Sequence, residues 1–232
     1  PLPERLRKEG LALRLNQRVE RLLVVADRVT GVALSSGEEI ALDPATDFVC
    51  FSVGMRPDVA LFEGQGLHME ADGIVVDSRM RTNIPGVLAA GDCCAGSSLI
   101  DGRPLSGKLA TNAVPMAKIA ARVLAGKDDE YPGFVNGAAT CVYDLRIGGT
   151  GFSEELARAR GFATITGFGE TTTFFPMMPG SDKLVVKLVA DQRTLRVIGG
   201  QVISTQPVTD KLDLLTLAIQ QRLTLKGLSK LS

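Results

Sequence analysis

The stretch TNIPGVLAAGDC, residues 82–93, leads from a threonine and a proline into a short apolar run that ends on Gly91 and Asp92. An apolar run of this length between turn residues predicts a buried strand, GVLAAGD, with a carboxylate just beyond its end. In open α/β sheets, ligands bind in the crevice outside the carboxyl ends of the strands. Gly91 allows close approach to the backbone, and an ionised Asp92 accepts two hydroxyl hydrogen bonds, so the natural ligand is a polyhydroxyl chain. The plain structural reading is an ordinary strand-to-turn junction.

Upstream, PERLRKE (3–9) reads as the end of a helix stopped at Gly10. LALRL, RLLVVAD, VTGVALSS and EEIAL follow as short alternating segments, with Asp27-Arg28 and Ser36-Gly37 as turns, so an antiparallel ribbon is expected. DFVCFSVG (47–54) is a continuous apolar run bounded by Gly54 and Pro57, the pattern of a strand buried on both faces. Residues 58–72 read as loop and a short helix, and GIVVD as a further strand. LATNAVPMAKIAARVLAG (109–126) is helical, with Pro115 confined to its first turns or kinking it.

A composition shift at DDEYPGFVNG (128–137) marks a boundary. Beyond it TCVYDL is a strand, and SEELARARG a helix with Ser153 as N-cap and Gly161 closing it. ATITGFG, TTTFF, KLVVKLVA and RVIGGQVI are strands, the last two a hairpin across DQRT. From Val208, apolar residues recur at helical spacing through Leu212, Leu215 and Ile219. Leu214, Leu217 and Ala218 broaden that arc toward a second covered surface.

Composition narrows the classes. Twenty-six basic residues balance 26 acidic ones, which disfavours nucleic acid or an anionic membrane as partner. The apolar runs are strand-sized, so no membrane span is expected, and no export leader is visible. Four cysteines without scaffold spacing suit a reducing cytoplasm. The first residue is Pro1, which fits processing or a piece of a longer protein.

Taken in order, these segments resemble a known family, the FAD-dependent pyridine nucleotide–disulfide oxidoreductases. TNIPGVLAAGD resembles its second flavin motif, and DFVCFSVGMRPDVAL (47–61) its strand-glycine-x-x-proline crossover from the NAD(P) domain to the FAD domain. GTGFSEELARARGF, MMPGSDKLVVKL and VIGGQVI with DKLDLLTLAI are similar to its dimerisation domain. The class without a C-terminal catalytic histidine fits best: NADH oxidases, coenzyme A disulfide reductases and persulfide or polysulfide reductases. The implied fold is mixed α/β and α+β. Residues 1–58 form the tail of an NAD(P)-binding domain, 59–134 the returning segment of an FAD-binding domain, and 135–232 a mixed-sheet dimerisation domain.

By this resemblance Gly91 and Asp92 hold the flavin ribityl chain. The helix start at Leu109, Ala110, Thr111 and Asn112 faces the pyrimidine end of the flavin ring, and Gly54 and Pro57 mark the crossover. The implied cofactors are FAD and NAD(P)H, and the implied partners a second copy and a small sulfur or oxygen acceptor. No G-x-G-x-x-G stands between a strand and a helix, and the family's redox cysteine segment is missing, so the expectation is the C-terminal half of such an enzyme. No catalytic residue is then expected in this chain.

Phe174, Phe175, Met177 and Met178 are candidates for a wall lining the partner subunit's active site, where coenzyme A disulfide reductases carry Tyr-Tyr-Pro-Gly. Methionine donates no proton. A repacked interface and a changed substrate both explain that departure. Cys93 and Cys94 read as packing rather than a redox pair, because a disulfide between adjacent residues is strained. Cys50 and Cys141 read as core, Tyr143 first as core, and the single histidine, His68, as a loop residue. No metal site is expected. The alternative is a stand-alone dimerisation module that binds no nucleotide. Either way, the segment from 137 onward is expected to be dimeric at micromolar concentration, and a purely monomeric ultracentrifugation profile counts against it.

Overall fold

The computed structural model describes residues 2–230. The chain divides between Met55 and Arg56 into two compact units. In the first, helix α1 (Leu2–Lys8) precedes an antiparallel sheet of β1 (Val19–Val25), β2 (Arg28–Leu34) and β3 (Glu39–Ala41), in that spatial order. Val32, Ala33 and Leu34 of β2 are buried, on alternating faces of that strand. The expected ribbon is present, except that LALRL (11–15) forms no strand.

DFVCFSVG also departs from expectation. It has no ladder partner among the described residues, and Phe48 and Val53 are each 86% exposed. An apolar run becomes a strand only where a neighbouring strand accepts its backbone groups. For the same reason Cys50 is exposed rather than core.

The second unit opens with a four-stranded sheet: β4 (Met69–Glu70), β5 (Gly73–Val75), β6 (Cys94–Ser97) and β7 (Pro104–Leu105). The pairing of β5 with β6 is parallel. GVLAAGD is not a strand of this sheet; it makes only the isolated bridge Arg81–Leu88. Asp92 therefore stands ahead of a strand rather than at the end of one. The reason is local. Gly91 turns the chain at φ 89°, and contact with β5 begins only at Cys93, whose carbonyl accepts from Ile74 N–H at 2.8 Å.

Helix α2 (Ala110–Leu124) covers this sheet with Met116 and Ile119, and Pro115 lies in its second turn. The expected boundary at 128–137 is partly core: Phe134 is 2% exposed and Val135 4%. Proline, glycine and charge around them mimic a linker, but both side chains are needed to close the core.

Next come β8 (Ala138–Val142), β9 (Leu145–Gly151), α3 (Glu154–Ala159), β10 (Thr164–Thr172), β11 (Lys183–Asp191) and β12 (Val197–Ser204). The last elements are α4 (Thr209–Gln220) and α5 (Leu225–Leu228). The five strands lie in the order β10-β11-β12-β9-β8, and every pairing is antiparallel, so the expected mixed strand direction is corrected here. ATITGFG and the first two threonines of TTTFF merge into the single strand β10, while Phe174 and Phe175 fall in the loop after it. Tyr143 is not core: it sits in the turn between β8 and β9 at φ 56° and is 53% exposed. Cys141 is exposed on the edge strand β8.

Ser153 caps α3 by accepting from Leu156 N–H at 3.1 Å. Helix α4 buries Leu212, Leu215, Ala218 and Ile219 and leaves Leu214 and Leu217 each 50% exposed.

A buried ion pair ties the two sheets of this unit together. Asp101, between β6 and β7, receives Arg160 from the end of α3 at 2.9 and 3.0 Å; the side chains are 8% and 15% exposed. Burial pushes the Asp101 carboxyl up, but hydrogen bonds from Arg160 and Arg103 outweigh it and hold it below the usual carboxylate range. A depressed folded-state value means stabilisation that is present above the unfolded pKa of about 3.9 and is lost as pH falls through the folded value. Asp101→Asn is expected to cost about 3 kcal/mol near neutrality, and the gap to wild type should narrow below about pH 4 in urea titrations.

Candidate flavin-binding site

The site is built where two stretches of backbone touch. Gly73 has φ 120°, and a Cβ placed on it would lie 2.2 Å from the carbonyl oxygen of Cys93. Only glycine permits that approach. It lets β5 lie directly against the segment that follows Gly91-Asp92, and Cys94 N–H closes the turn onto Gly91 O at 3.0 Å. Upstream, Thr82 closes the proline turn, its backbone N–H and hydroxyl both donating to Val87 O at 3.0 Å.

Asp92 is exposed, and its carboxylate accepts no hydrogen bond among the described residues. Gly91 packs against the first turns of α2, with Ala113 Cβ 3.7 Å from where its own Cβ would stand. At the start of α2, Asn112 and Ala113 N–H groups turn back to Leu109 O, each at 2.9 Å. The N–H groups of Ala110 and Thr111 have no partner among the described residues, as expected for a helix N-terminus. One carboxylate acceptor and the positive end of a 15-residue helix are thus brought side by side.

Asn112 is occupied differently. It is 5% exposed, and its amide donates to Gly107 O at 2.9 Å and to Asn136 Oδ1 at 2.7 Å. Asn136, at φ 59°, donates to Ser106 O at 2.8 Å. This pair of asparagines holds the loop entering α2, so the Asn112 amide is spent on bracing the site. Nothing in the sequence marked Asn136. A cavity of about 420 Å³ opens beside the helix start, lined in part by Thr111, Asn112, Tyr131, Asn136, Asp213 and Thr216. Burial raises the Tyr131 phenol to about 12, so it stays protonated at neutral pH.

The remaining candidates lie elsewhere. Gly54, at φ 90°, and Pro57 flank the division between the two units. Phe174, Phe175, Met177 and Met178 project from the β10–β11 loop, more than half exposed, with Met177 at 86%. That loop is closed by Thr172 and Ser181 hydroxyls donating to Phe174 O at 2.6 and 3.1 Å. It does not line the cavity at the start of α2.

Comparisons with known proteins place the chain in a family. The profile of the pyridine nucleotide-disulphide oxidoreductases matches residues 2–117, and the profile of their dimerisation domain matches residues 138–231. The chain belongs to the pyridine nucleotide-disulphide oxidoreductase family. An NADH oxidase of Methanocaldococcus jannaschii is 25% identical over 229 residues, which cover 97% of this chain and 49% of that protein. An NAD(P)H coenzyme A polysulfide/persulfide reductase of Pyrococcus horikoshii is 31% identical over 205 residues, or 88% of this chain and 44% of the relative. The solved NAD-dependent persulfide reductase from A. fulgidus superposes with a TM-score of 0.92 at 25% identity, covering all of this chain and 42% of that one. The chain thus spans about half the length of the curated oxidoreductases it matches. No helix among the described residues is long and apolar enough to cross a membrane, and no group of three or more His, Cys, Asp or Glu there is placed to hold a metal ion.

Two thiols of this family member sit beside the site. Cys93 and Cys94 Sγ are 3.9 Å apart, and Cys93 donates to Ala90 O at 3.4 Å. Burial, reinforced by Cys93, pushes the Cys94 thiol up to about 12. Cys94 is core, 3% exposed, beside Met80 and Met116. In a titration with a chromogenic disulfide at neutral pH, Cys50 and Cys141 are expected to react first and Cys94 at least about a hundredfold more slowly until the protein is unfolded.

Proposed function

We propose that this chain carries the returning FAD-binding segment and the dimer-forming domain of an FAD-dependent NAD(P)H oxidoreductase. Its electrons would end on a disulfide, a persulfide or polysulfide, or oxygen. In this reading residues 1–58 are the tail of the NAD(P)-binding domain, 59–134 the FAD segment and 135–232 the dimerisation domain, with the crossover at Gly54–Pro57. The observation that carries it is the unpartnered Asp92 carboxylate on the Gly91 turn, beside the open N–H groups of α2.

Those residues suit a flavin. Asp92 accepts from ribityl hydroxyls, and the free N–H groups of Ala110 and Thr111, with the helix dipole behind them, favour negative charge at the pyrimidine end of the ring. Bound flavin supplies two-electron transfer between a nicotinamide and the acceptor. The nearby thiols suit packing better than electron relay, since Cys94 is buried and held protonated.

Homodimerisation is supported by apolar surface left on the last domain: Leu214 and Leu217 on α4, and Phe168, 73% exposed, on the edge strand β10. A second copy would bring its Phe174–Met178 loop as a wall to the acceptor site. Four free cysteines support a reducing, cytoplasmic setting.

The test is FAD titration of the purified chain, followed by its visible spectrum. Saturable binding is expected, weakened about tenfold or more in Asp92→Ala. No binding beside an orderly dimer would replace this reading with that of a dimerisation module without nucleotide.

A further inference from the structure

We infer that Lys108 is the positioning residue of this site, an ammonium staple that holds the Gly91–Cys93 turn against β5 and so sets where Asp92 stands. Its Nζ donates to Asp72 O at 2.8 Å and to Asp92 O at 2.8 Å. These carbonyls belong to the two segments that meet at Gly73, one on each side of the contact. An ammonium has three donors and no acceptor, so it can join two carbonyls that would otherwise repel each other. Lys108 is half-buried and pairs with no carboxylate among the described residues. Its charge is therefore satisfied by backbone oxygens.

Its place in the sequence is otherwise unfavourable. Lys108 stands immediately before Leu109, the N-cap of α2, where a positive charge opposes the helix dipole. The two carbonyl contacts offset that cost. The staple also leaves the Asp92 carboxylate unengaged, since the lysine takes the main-chain oxygen of that residue and not its side chain. An arginine at this position keeps charge and donors, whereas a methionine keeps only the apolar stem.

The consequence for flavin rests on the reading proposed above, and the experiment separates the two. Amide hydrogen exchange is followed by NMR in wild type, Lys108→Met and Lys108→Arg. In Lys108→Met, the Ile74 and Cys94 amides, which bond Cys93 O and Gly91 O, are expected to exchange at least about tenfold faster. The amides of Val189 and Val202, deep in the five-stranded sheet, should not change, and Lys108→Arg should restore the wild-type rates. Unchanged exchange at Ile74 and Cys94, or a uniform increase across all four amides, overturns the inference.

FAD titration of the same variants and of Asp92→Ala completes the test. Loss of affinity in both Asp92→Ala and Lys108→Met, with recovery in Lys108→Arg, supports the staple. Loss in Asp92→Ala alone overturns its role in binding while the flavin site stands. A wild-type chain that binds no FAD overturns the flavin reading, and the exchange rates still decide the positioning role.

Discussion

The close passage of Gly73 over the Cys93 carbonyl is the constraint on which the rest of the site depends. Backbones this near leave no room for a side chain, so the contact exists only because residue 73 is glycine at positive φ. Its effect reaches past the pair. The parallel pairing of β5 with β6 starts immediately after the Gly-Asp turn, so the turn is pinned between a strand on one side and a helix on the other. Lys108 closes the third side. The Asp92 side chain is then one of the few polar groups in the region that the protein does not use for itself.

That economy separates the residues that brace the site from those that face outward. Asn112 and Asn136 are consumed by each other and by loop carbonyls, and Cys93 and Cys94 by packing and one weak sulfur hydrogen bond. What remains open is a carboxylate and two helix N–H groups, an acceptor and donors in neighbouring positions. On the proposed reading, ligand hydroxyls would meet the carboxylate, and developing negative charge would meet the N–H groups. It offers little to a metal ion, which asks for several convergent ligands.

The second unit also shows why the two segments expected to be separate domains hold together. Asp101 and Arg160 meet in a nearly dry contact, with the Arg160 guanidinium 5.1 Å above the Phe152 ring. Ile100 and Leu105 from the small sheet pack into the same cluster as Phe152, Val189 and Ile198. Removing the Asp101 carboxylate would leave the Arg160 guanidinium buried without a counter-charge, so the pair favours one arrangement of the two sheets.

Much of this was legible in the residues themselves. Helices α2, α3 and α4, the β11–β12 hairpin and the Ser153 cap follow from periodicity and capping chemistry, which are local and act over a few residues. Gly91-Asp92 stood out for the same reason: glycine followed by a carboxylate is a local statement. Where the structure departs from that local reading, the cause is non-local. DFVCFSVG, GVLAAGD, Cys50, Cys141 and Tyr143 have apolar or β-prone composition, yet strand and core status depend on what lies opposite, which composition does not carry. Phe134 and Val135 failed in the converse direction, being core within a linker-like stretch. Sequence alone determined the helices, the β11–β12 hairpin, the family resemblance and the one conspicuous carboxylate. Only the tertiary structure decided that Asp92 precedes its strand, that Asn112 points into a brace, and that Lys108 joins carbonyls 20 residues apart in position but adjacent in space, about the separation of Asp72 and Asp92. The physical reason is that hydrogen-bond partners and burial are set by non-local contacts, which the chain acquires only on folding.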